Sequence, residues 1–199
     1  QSFPLDDRLV VAMADVTGHA MEAAVPVMMF SGVLESDIGH GYGLEMLFTS
    51  LNRTLCNKLD DRTFVCLAMS ELDLSTRTFR FANGGSPYPY HFHAATGEVS
   101  ELQVDAYPLG VRPDTAYTAI EVQLEPGDRI IFYSDGIPEA ENVAGDLFGF
   151  ERTAETIRQG CTENQSAEEL IDRLFGSIET FVGSAIQRDD MTCVVMRAE

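Results

Sequence analysis

The sequence predicts an α+β fold in which strands and helices are grouped along the chain. Apolar strand-like runs separated by turns dominate its middle, and two helical stretches follow near its end. The chain has 199 residues, of which 45% are hydrophobic, and this size and composition are typical of one soluble globular domain. Such grouping favours antiparallel sheets with helices packed beside them.

The first predicted elements are a hairpin and a helix. Residues 2–5 and 8–14 form two strands, and the second (RLVVAMA) is apolar enough to be buried and ends on Asp15. Residues 20–34 then carry apolar side chains at helical spacing. Pro26 must start or kink this helix, because its ring lacks an N–H and clashes with the preceding turn.

The middle of the chain combines one more helix with a series of strands. After a Gly-rich break at 39–43, leucine and phenylalanine side chains recur every three or four positions over 44–55, which indicates an amphipathic helix. Turn signals such as Glu-Pro-Gly-Asp at 125–128 separate the runs that follow. We predict strands over residues 63–71, 78–82, 88–93, 99–104, 117–124 and 129–134.

The end of the chain returns to helices. Residues 150–159 and 167–182 have helical periodicity. Ser166, with Glu169 three positions later, predicts a capping box at the start of the second helix. A last strand is predicted over 191–196.

The charge balance excludes two classes of partner. Thirty-two acidic residues against thirteen basic ones give a net charge of −19. Nucleic acids and anionic membranes both need a basic face, so neither is expected as a partner. The acidity serves either solubility or the binding of cations by clustered carboxylates.

Cysteine spacing and hydropathy bear on the compartment. The four cysteines include no Cys-x-x-Cys pair, so cysteine-based zinc spacing is absent, and free thiols favour a reducing, cytoplasmic location. The longest apolar run, residues 23–34, is too short to span a membrane, and no signal peptide is visible. Because the chain begins with Gln1, we expect it to be the C-terminal part of a longer regulatory protein.

Aspartates at strand edges are the main candidates for chemistry. Asp15 and Asp135 follow buried strands with a glycine nearby, and the pair Asp189-Asp190 precedes the last strand. Carboxylates held at a sheet rim suit hard divalent cations. Asp beside Gly is also a common turn signal, and spacing alone does not show that these carboxylates converge.

Several motifs, in order, resemble one family over nearly the whole chain. They are VVAMADVTGH, FRFANGGSPYP, AYPLGV, LEPGDRIIFYSDGIPEAEN and RDDMTCVVMR. This set resembles the PPM (type 2C) metal-dependent serine/threonine protein phosphatases. It is most similar to the bacterial branch that contains the sporulation stage II phosphatase E and the phosphatases that regulate anti-sigma-factor antagonists.

The resemblance implies a fold and a metal site. The fold would be a single α-β-β-α sandwich domain over residues 1–199, with two antiparallel sheets flanked by helices, and the cofactors would be two Mn²⁺ or Mg²⁺ ions. Asp15, Asp135 and Asp189 would be catalytic through a metal-activated water, and the backbone carbonyl of Val16 would be a further metal ligand. Four residues would support these ligands without touching the ions, namely Gly18, His19, Gly136 and Asp190.

The implied activity is hydrolysis of phosphoserine or phosphothreonine on a regulatory protein in bacterial signal transduction. The expected substrate is an anti-sigma-factor antagonist of the sulfate-transporter-and-antagonist (STAS) type. A sensor or receiver domain, placed N-terminally in the same protein, would control the reaction.

Two departures from the family pattern leave an alternative open. The Gly-Gly-Asp element that the branch carries on its first strand is missing, and Gly84-Gly85-Ser86 stands where the branch usually has Ala-Gly-His. The alternative is a pseudophosphatase that binds a partner without turnover, as an adaptor domain of a response regulator.

Overall fold

The structure is a computed structural model that describes residues 1–5, 7–17, 21–60 and 62–199. In chain order its strands are β1 (Ser2–Pro4), β2 (Arg8–Val16), β3 (Val65–Asp73), β4 (Thr78–Gly84), β5 (Tyr90–His93), β6 (Glu98–Glu101), β7 (Ala119–Gln123), β8 (Arg129–Tyr133) and β9 (Cys193–Arg197). Its helices are α1 (Met21–Gly39), α2 (Leu44–Lys58), α3 (Gly149–Thr162) and α4 (Ala167–Val182). These elements form two compact units, residues 1–86 with 104–123 and residues 87–103 with 124–199.

The first unit is an antiparallel sheet with two helices packed on it. Its strands lie in the order β1-β2-β3-β4-β7. Strand β2 pairs with β3 along its whole length, from Arg8 opposite Asp73 to Val16 opposite Val65. Side chains from both helices and from β3 share one core, among them Phe30, Leu34, Leu51, Leu67 and Met69.

A buried asparagine joins α2 to a loop of the same unit. Asn52 is only 1% exposed, and its Nδ2 donates to the carbonyl oxygen of Arg112 at 2.8 Å. Its Oδ1 accepts the N–H of Gly110 at 2.9 Å. Because both ends of the amide are paired with backbone, the helix fixes the path of the chain over 110–112.

The second unit is built around β8. Its antiparallel strands lie in the order β6-β5-β8-β9, and all five residues of β8 are buried. Helices α3 and α4 pack against this sheet through one core that includes Tyr90, Ile131, Tyr133, Ile157 and Leu174. The predicted capping box is confirmed, since the Ser166 side chain accepts from the Glu169 N–H and the Glu169 carboxylate accepts from the Ser166 N–H.

The predicted order of strands and helices is confirmed, although several element boundaries differ from the predicted ones. Strand β2 continues to Val16, one residue beyond Asp15, where it was expected to end, and Asp15 is paired with Cys66. Of the two effects predicted for Pro26, starting the helix is ruled out because Pro26 lies inside α1, and this helix runs on to Gly39. Strand β6 ends at Glu101, short of the predicted end.

The fold class expected from the sequence is therefore confirmed as α+β, with two antiparallel sheets and their flanking helices. All four cysteines are free thiols. Within the described residues, no helix is both long enough and apolar enough to cross a membrane.

Candidate active site

Asp135 lies directly beyond the buried strand β8. Its side chain is partly buried, and its Oδ1 accepts the N–H of Gly136 at 3.0 Å. The Ser134 carbonyl accepts the Ile137 N–H, and the Asp135 carbonyl accepts the Glu139 N–H, so the chain turns tightly after the strand. The rigid strand and this turn hold the carboxylate at the end of the sheet.

A second loop, which carries Asp189 and Asp190, lies against the first. Ser134 joins the two, because its hydroxyl donates to the Asp190 carbonyl oxygen at 3.1 Å and accepts the Thr192 N–H at 2.9 Å. The Ser134 N–H also donates to the Thr192 carbonyl oxygen at 3.0 Å. No role for Ser134 was predicted from the sequence, although a hydroxyl residue between a buried strand and Asp135 was a usable signal.

Gly136 is where these two loops come closest. A Cβ at this position would lie 2.4 Å from the Asp190 carbonyl oxygen and 3.5 Å from the Asp189 Cβ. Any side chain would therefore push the loops apart. The predicted supporting role of Gly136 thus has a steric basis, and the structure brings Asp135, Gly136, Asp189 and Asp190 together.

Among the described residues, the carboxylates of these loops have no lysine or arginine partner. Asp189 and Asp190 are exposed, and the Asp189 Oδ1 accepts the Asp190 N–H at 2.8 Å. None of the described Lys or Arg side chains forms an ion pair with Asp135, Asp189 or Asp190, and the neighbouring Arg188 pairs with Glu141 instead. Concentrated, unpaired carboxylate oxygens are the donor set that Mg²⁺ and Mn²⁺ prefer, so these residues fit such ions.

Asp15 and Val16 belong to the first unit, near the end of β2. Asp15 is exposed and Val16 is half-buried. The next residue, Thr17, fastens this end of the strand, because its N–H donates to the Phe64 carbonyl oxygen and its hydroxyl accepts the Phe64 N–H at 2.9 Å. Gly18 and His19, which were predicted to support the ligands, lie outside the described residues.

The Gly84-Gly85-Ser86 departure has a local packing reason. A Cβ on Gly84 would lie 2.7 Å from the Leu109 Cδ1, and Gly85 has a φ of +86°. Asn83 closes the turn, since its Nδ2 donates to the Ser86 carbonyl oxygen and its Oδ1 accepts the Ser86 N–H. An alanine at position 84 would not fit here unless Leu109 moved.

A pocket lies beside Asp189 within the second unit. It has a volume of about 220 Å³, and its lining includes the side chains of Leu147, Val182, Ile186 and Met191. Glu139 and Arg188 add charge to it. A pocket of this size accommodates one side chain of a bound protein next to the candidate metal ligands.

The chain matches a known protein family over nearly its whole length. The family model described as Stage II sporulation protein E (SpoIIE) matches residues 5–199. Phosphoserine phosphatase RsbU of Bacillus subtilis is 24% identical over 191 residues, which cover 96% of this chain and 56% of RsbU. The chain therefore spans little more than half the length of that relative.

Solved structures share the fold. The SiaA-PP2C domain of Pseudomonas aeruginosa superimposes with a TM-score of 0.87 at 22% identity, covering 100% of this chain and 79% of that one. RsbX, solved in complex with magnesium, has a TM-score of 0.69 at 19% identity, with coverage of 98% and 83%.

Proposed function

Because the chain belongs to the stage II sporulation protein E family, we propose that it is a metal-dependent phosphatase domain for phosphoserine or phosphothreonine on a regulatory protein. Its resemblance to type 2C phosphatases is thereby confirmed. The observation that carries the proposal is the pair of joined loops that present Asp135 and Asp189 with no lysine or arginine partner in the part of the chain that the structure describes.

The proposed cofactors are two Mg²⁺ or Mn²⁺ ions. The proposed ligands are the carboxylates of Asp15, Asp135 and Asp189 and the backbone carbonyl of Val16. Support comes from the oxygen-only donor set and from RsbX, a protein of the same fold that was solved in complex with magnesium. When bound, such ions make water a stronger acid and offset the negative charge on phosphoryl oxygens.

The chain's own contribution is to hold its carboxylates ready. The Gly136 N–H occupies the Asp135 Oδ1, and the Asp190 N–H occupies the Asp189 Oδ1. In each case the second carboxylate oxygen remains for a cation. Ser134 keeps the two loops in register, so the site needs little rearrangement before it acts.

We further propose that the substrate is an anti-sigma-factor antagonist of the STAS type in the bacterial cytoplasm. The family resemblance suggests this class. The pocket beside Asp189, which is lined by both apolar and charged side chains, supports recognition of a protein surface by short-range contacts. RsbU, which is named a phosphoserine phosphatase, supports the chemistry.

Metal binding and turnover should be measured together. Calorimetry with Mn²⁺ and release of phosphate from a phosphoserine STAS protein would be compared for the wild type, Asp135→Asn and Asp172→Asn. Asp172 lies exposed on α4, so its variant removes the same charge away from the site. We expect Asp135→Asn to lose at least about tenfold in metal affinity together with its turnover, and Asp172→Asn to match the wild type.

Two outcomes would overturn the proposal. One is a wild type that binds Mn²⁺ but releases no phosphate, which would favour the adaptor function. The other is an Asp135→Asn variant that binds metal and turns over as the wild type does, which would place the chemistry elsewhere.

A further inference from the structure

A second group of potential metal ligands lies at the other end of β8. One ligand atom from each of His91, His93 and Asp128 lies within 4.8 Å of the other two. Asp128 immediately precedes β8 and Asp135 follows it. A separation of seven residues along an extended strand is about 20 Å, so this cluster is distinct from the candidate active site.

Strand geometry places both histidines on one face of the sheet. Tyr90 and Phe92 belong to the core that contains α3 and α4. Because side chains alternate along a strand, His91 and His93 lie on the opposite face. Their ring centroids are 3.9 Å apart, so the strand itself presents two imidazoles side by side.

The carboxylate of Asp128 is fixed before any ion binds. Its Oδ1 accepts the Ala94 N–H at 2.9 Å, and its Oδ2 accepts the Glu125 N–H at 3.1 Å. The Oδ2 also lies 3.0 Å from the His91 Nε2. Two ligands of a tetrahedral zinc ion are about 3.3 Å apart, so an ion could replace the proton between Asp128 and His91 with little movement.

Burial distinguishes the three ligands. His91 is 2% exposed and Asp128 is 4% exposed, whereas His93 is half-buried and its Nε2 lies 2.9 Å from the Ser100 Oγ. A buried His–Asp pair would satisfy itself as a structural hydrogen bond. His93 adds a third ligand that solvent can reach, so an ion can enter and bind between it and the His91–Asp128 pair.

We propose that His91, His93 and Asp128 form a zinc site that is separate from the oxygen-ligand site at Asp135 and Asp189. Two imidazoles and one carboxylate select zinc over magnesium or manganese, and a fourth position remains for water. Coordination through the His91 Nε2 requires the neutral tautomer that carries its proton on Nδ1, so the Nε2 proton moves to Nδ1 when the ion binds. The bound ion ties strand β5 to the turn before β8 and stabilises the second unit.

The site should be tested by zinc binding and thermal unfolding in excess Mg²⁺, which occupies the oxygen-ligand site. The variants are His93→Gln, whose side chain is half-buried, and His40→Gln as a matched control, because His40 is exposed at the end of α1. We expect the wild type and His40→Gln to bind one zinc ion and to gain melting temperature with zinc concentration. His93→Gln should lose at least about tenfold in zinc affinity.

A measurement on the wild type alone guards against a variant that folds poorly. Zinc should shift the imidazole NMR signals of His91 and His93 and leave those of His40 in place. The proposal is overturned by zinc that shifts neither of these imidazoles, by equal zinc affinity in His93→Gln and the wild type, or by a melting temperature that does not respond to zinc. None of these readouts depends on phosphatase activity.

Discussion

Gly136 is important because it has no side chain, and not because of its backbone flexibility. The glycine allows the Asp135 loop to approach the Asp190 carbonyl oxygen, and a Cβ would lie 2.4 Å from that atom. We predict that Gly136→Ala destabilises the protein by about 1–3 kcal/mol, because the overpacked loops must separate. It should also weaken Mn²⁺ binding, since Asp135 and Asp189 move apart. Urea unfolding and calorimetry measure the two effects.

Gly176→Ala is the matched control for this prediction. Gly176 lies in α4, and a Cβ there would meet nothing within 4 Å. The same substitution should leave metal binding unchanged and stabilise the helix by about 0.5–1 kcal/mol. If Gly136→Ala bound Mn²⁺ as tightly as Gly176→Ala, the contact between the loops would have no part in holding the carboxylates.

Sequence motifs located most of the candidate ligands but not their surroundings. Asp135 and Asp189 were found because each borders a buried apolar run inside a family motif. Ser134 was missed because the two hydrogen bonds of its hydroxyl reach residues 56 and 58 positions away. His91 and His93 were missed because two histidines in one strand carry meaning only once Asp128 is known to lie beside them.

At the scale of elements, Asn52 couples a helix to a loop. Its amide pairs with backbone at Gly110 and Arg112. We predict that Asn52→Ala lowers the free energy of unfolding by about 1–3 kcal/mol, because backbone groups lose their buried partner. Asn57→Ala, at an exposed position of the same helix, should change it by less than about 0.5 kcal/mol. Equal effects of the two substitutions in urea unfolding would contradict the coupling.

The turn between β3 and β4 is held by one carboxylate. Asp73 accepts hydrogen bonds from the Ser75 hydroxyl, the Thr76 N–H and the Ser75 N–H. These bonds, led by that of the Ser75 hydroxyl, lower the pKa of Asp73 from 3.8 to about 2. Because the folded-state pKa is depressed, the stabilisation is complete above pH 3.8 and is lost as the pH falls towards about 2.

The pKa shift of Asp73 can be tested by removing the Ser75 hydroxyl, which is its main cause. We predict a midpoint of about 2 for the Asp73 carboxyl in an NMR titration, and a higher midpoint in Ser75→Ala, because the strongest hydrogen bond is gone. Thr115→Ala removes a hydroxyl from a different loop and should leave the midpoint unchanged. An Asp73 midpoint that does not move in Ser75→Ala would show that the hydroxyl is not the cause.

The alternation of apolar side chains predicted which elements form, but less well where they end. Strand β2 was expected to end on Asp15. Backbone pairing of Val16 with Val65 carries it one residue further, and no local signal reports a partner strand some fifty positions away. The capping box at Ser166 was placed correctly because its hydrogen bonds are local.

At the scale of the whole molecule, the net charge of −19 should decide how the proposed substrate responds to salt. An acidic phosphoprotein is repelled at long range, and salt screens that repulsion over a Debye length of about 10 Å at 0.1 M. We predict that KM for an acidic phosphopeptide falls as NaCl is raised at saturating Mn²⁺. KM should stay constant for a phosphopeptide of equal length in which the residues that flank the phosphoserine are uncharged. The apolar side chains in the pocket beside Asp189 supply contacts that salt does not weaken. A steep rise of KM with salt for the acidic peptide would mean that a local basic surface, rather than apolar contact, captures the substrate.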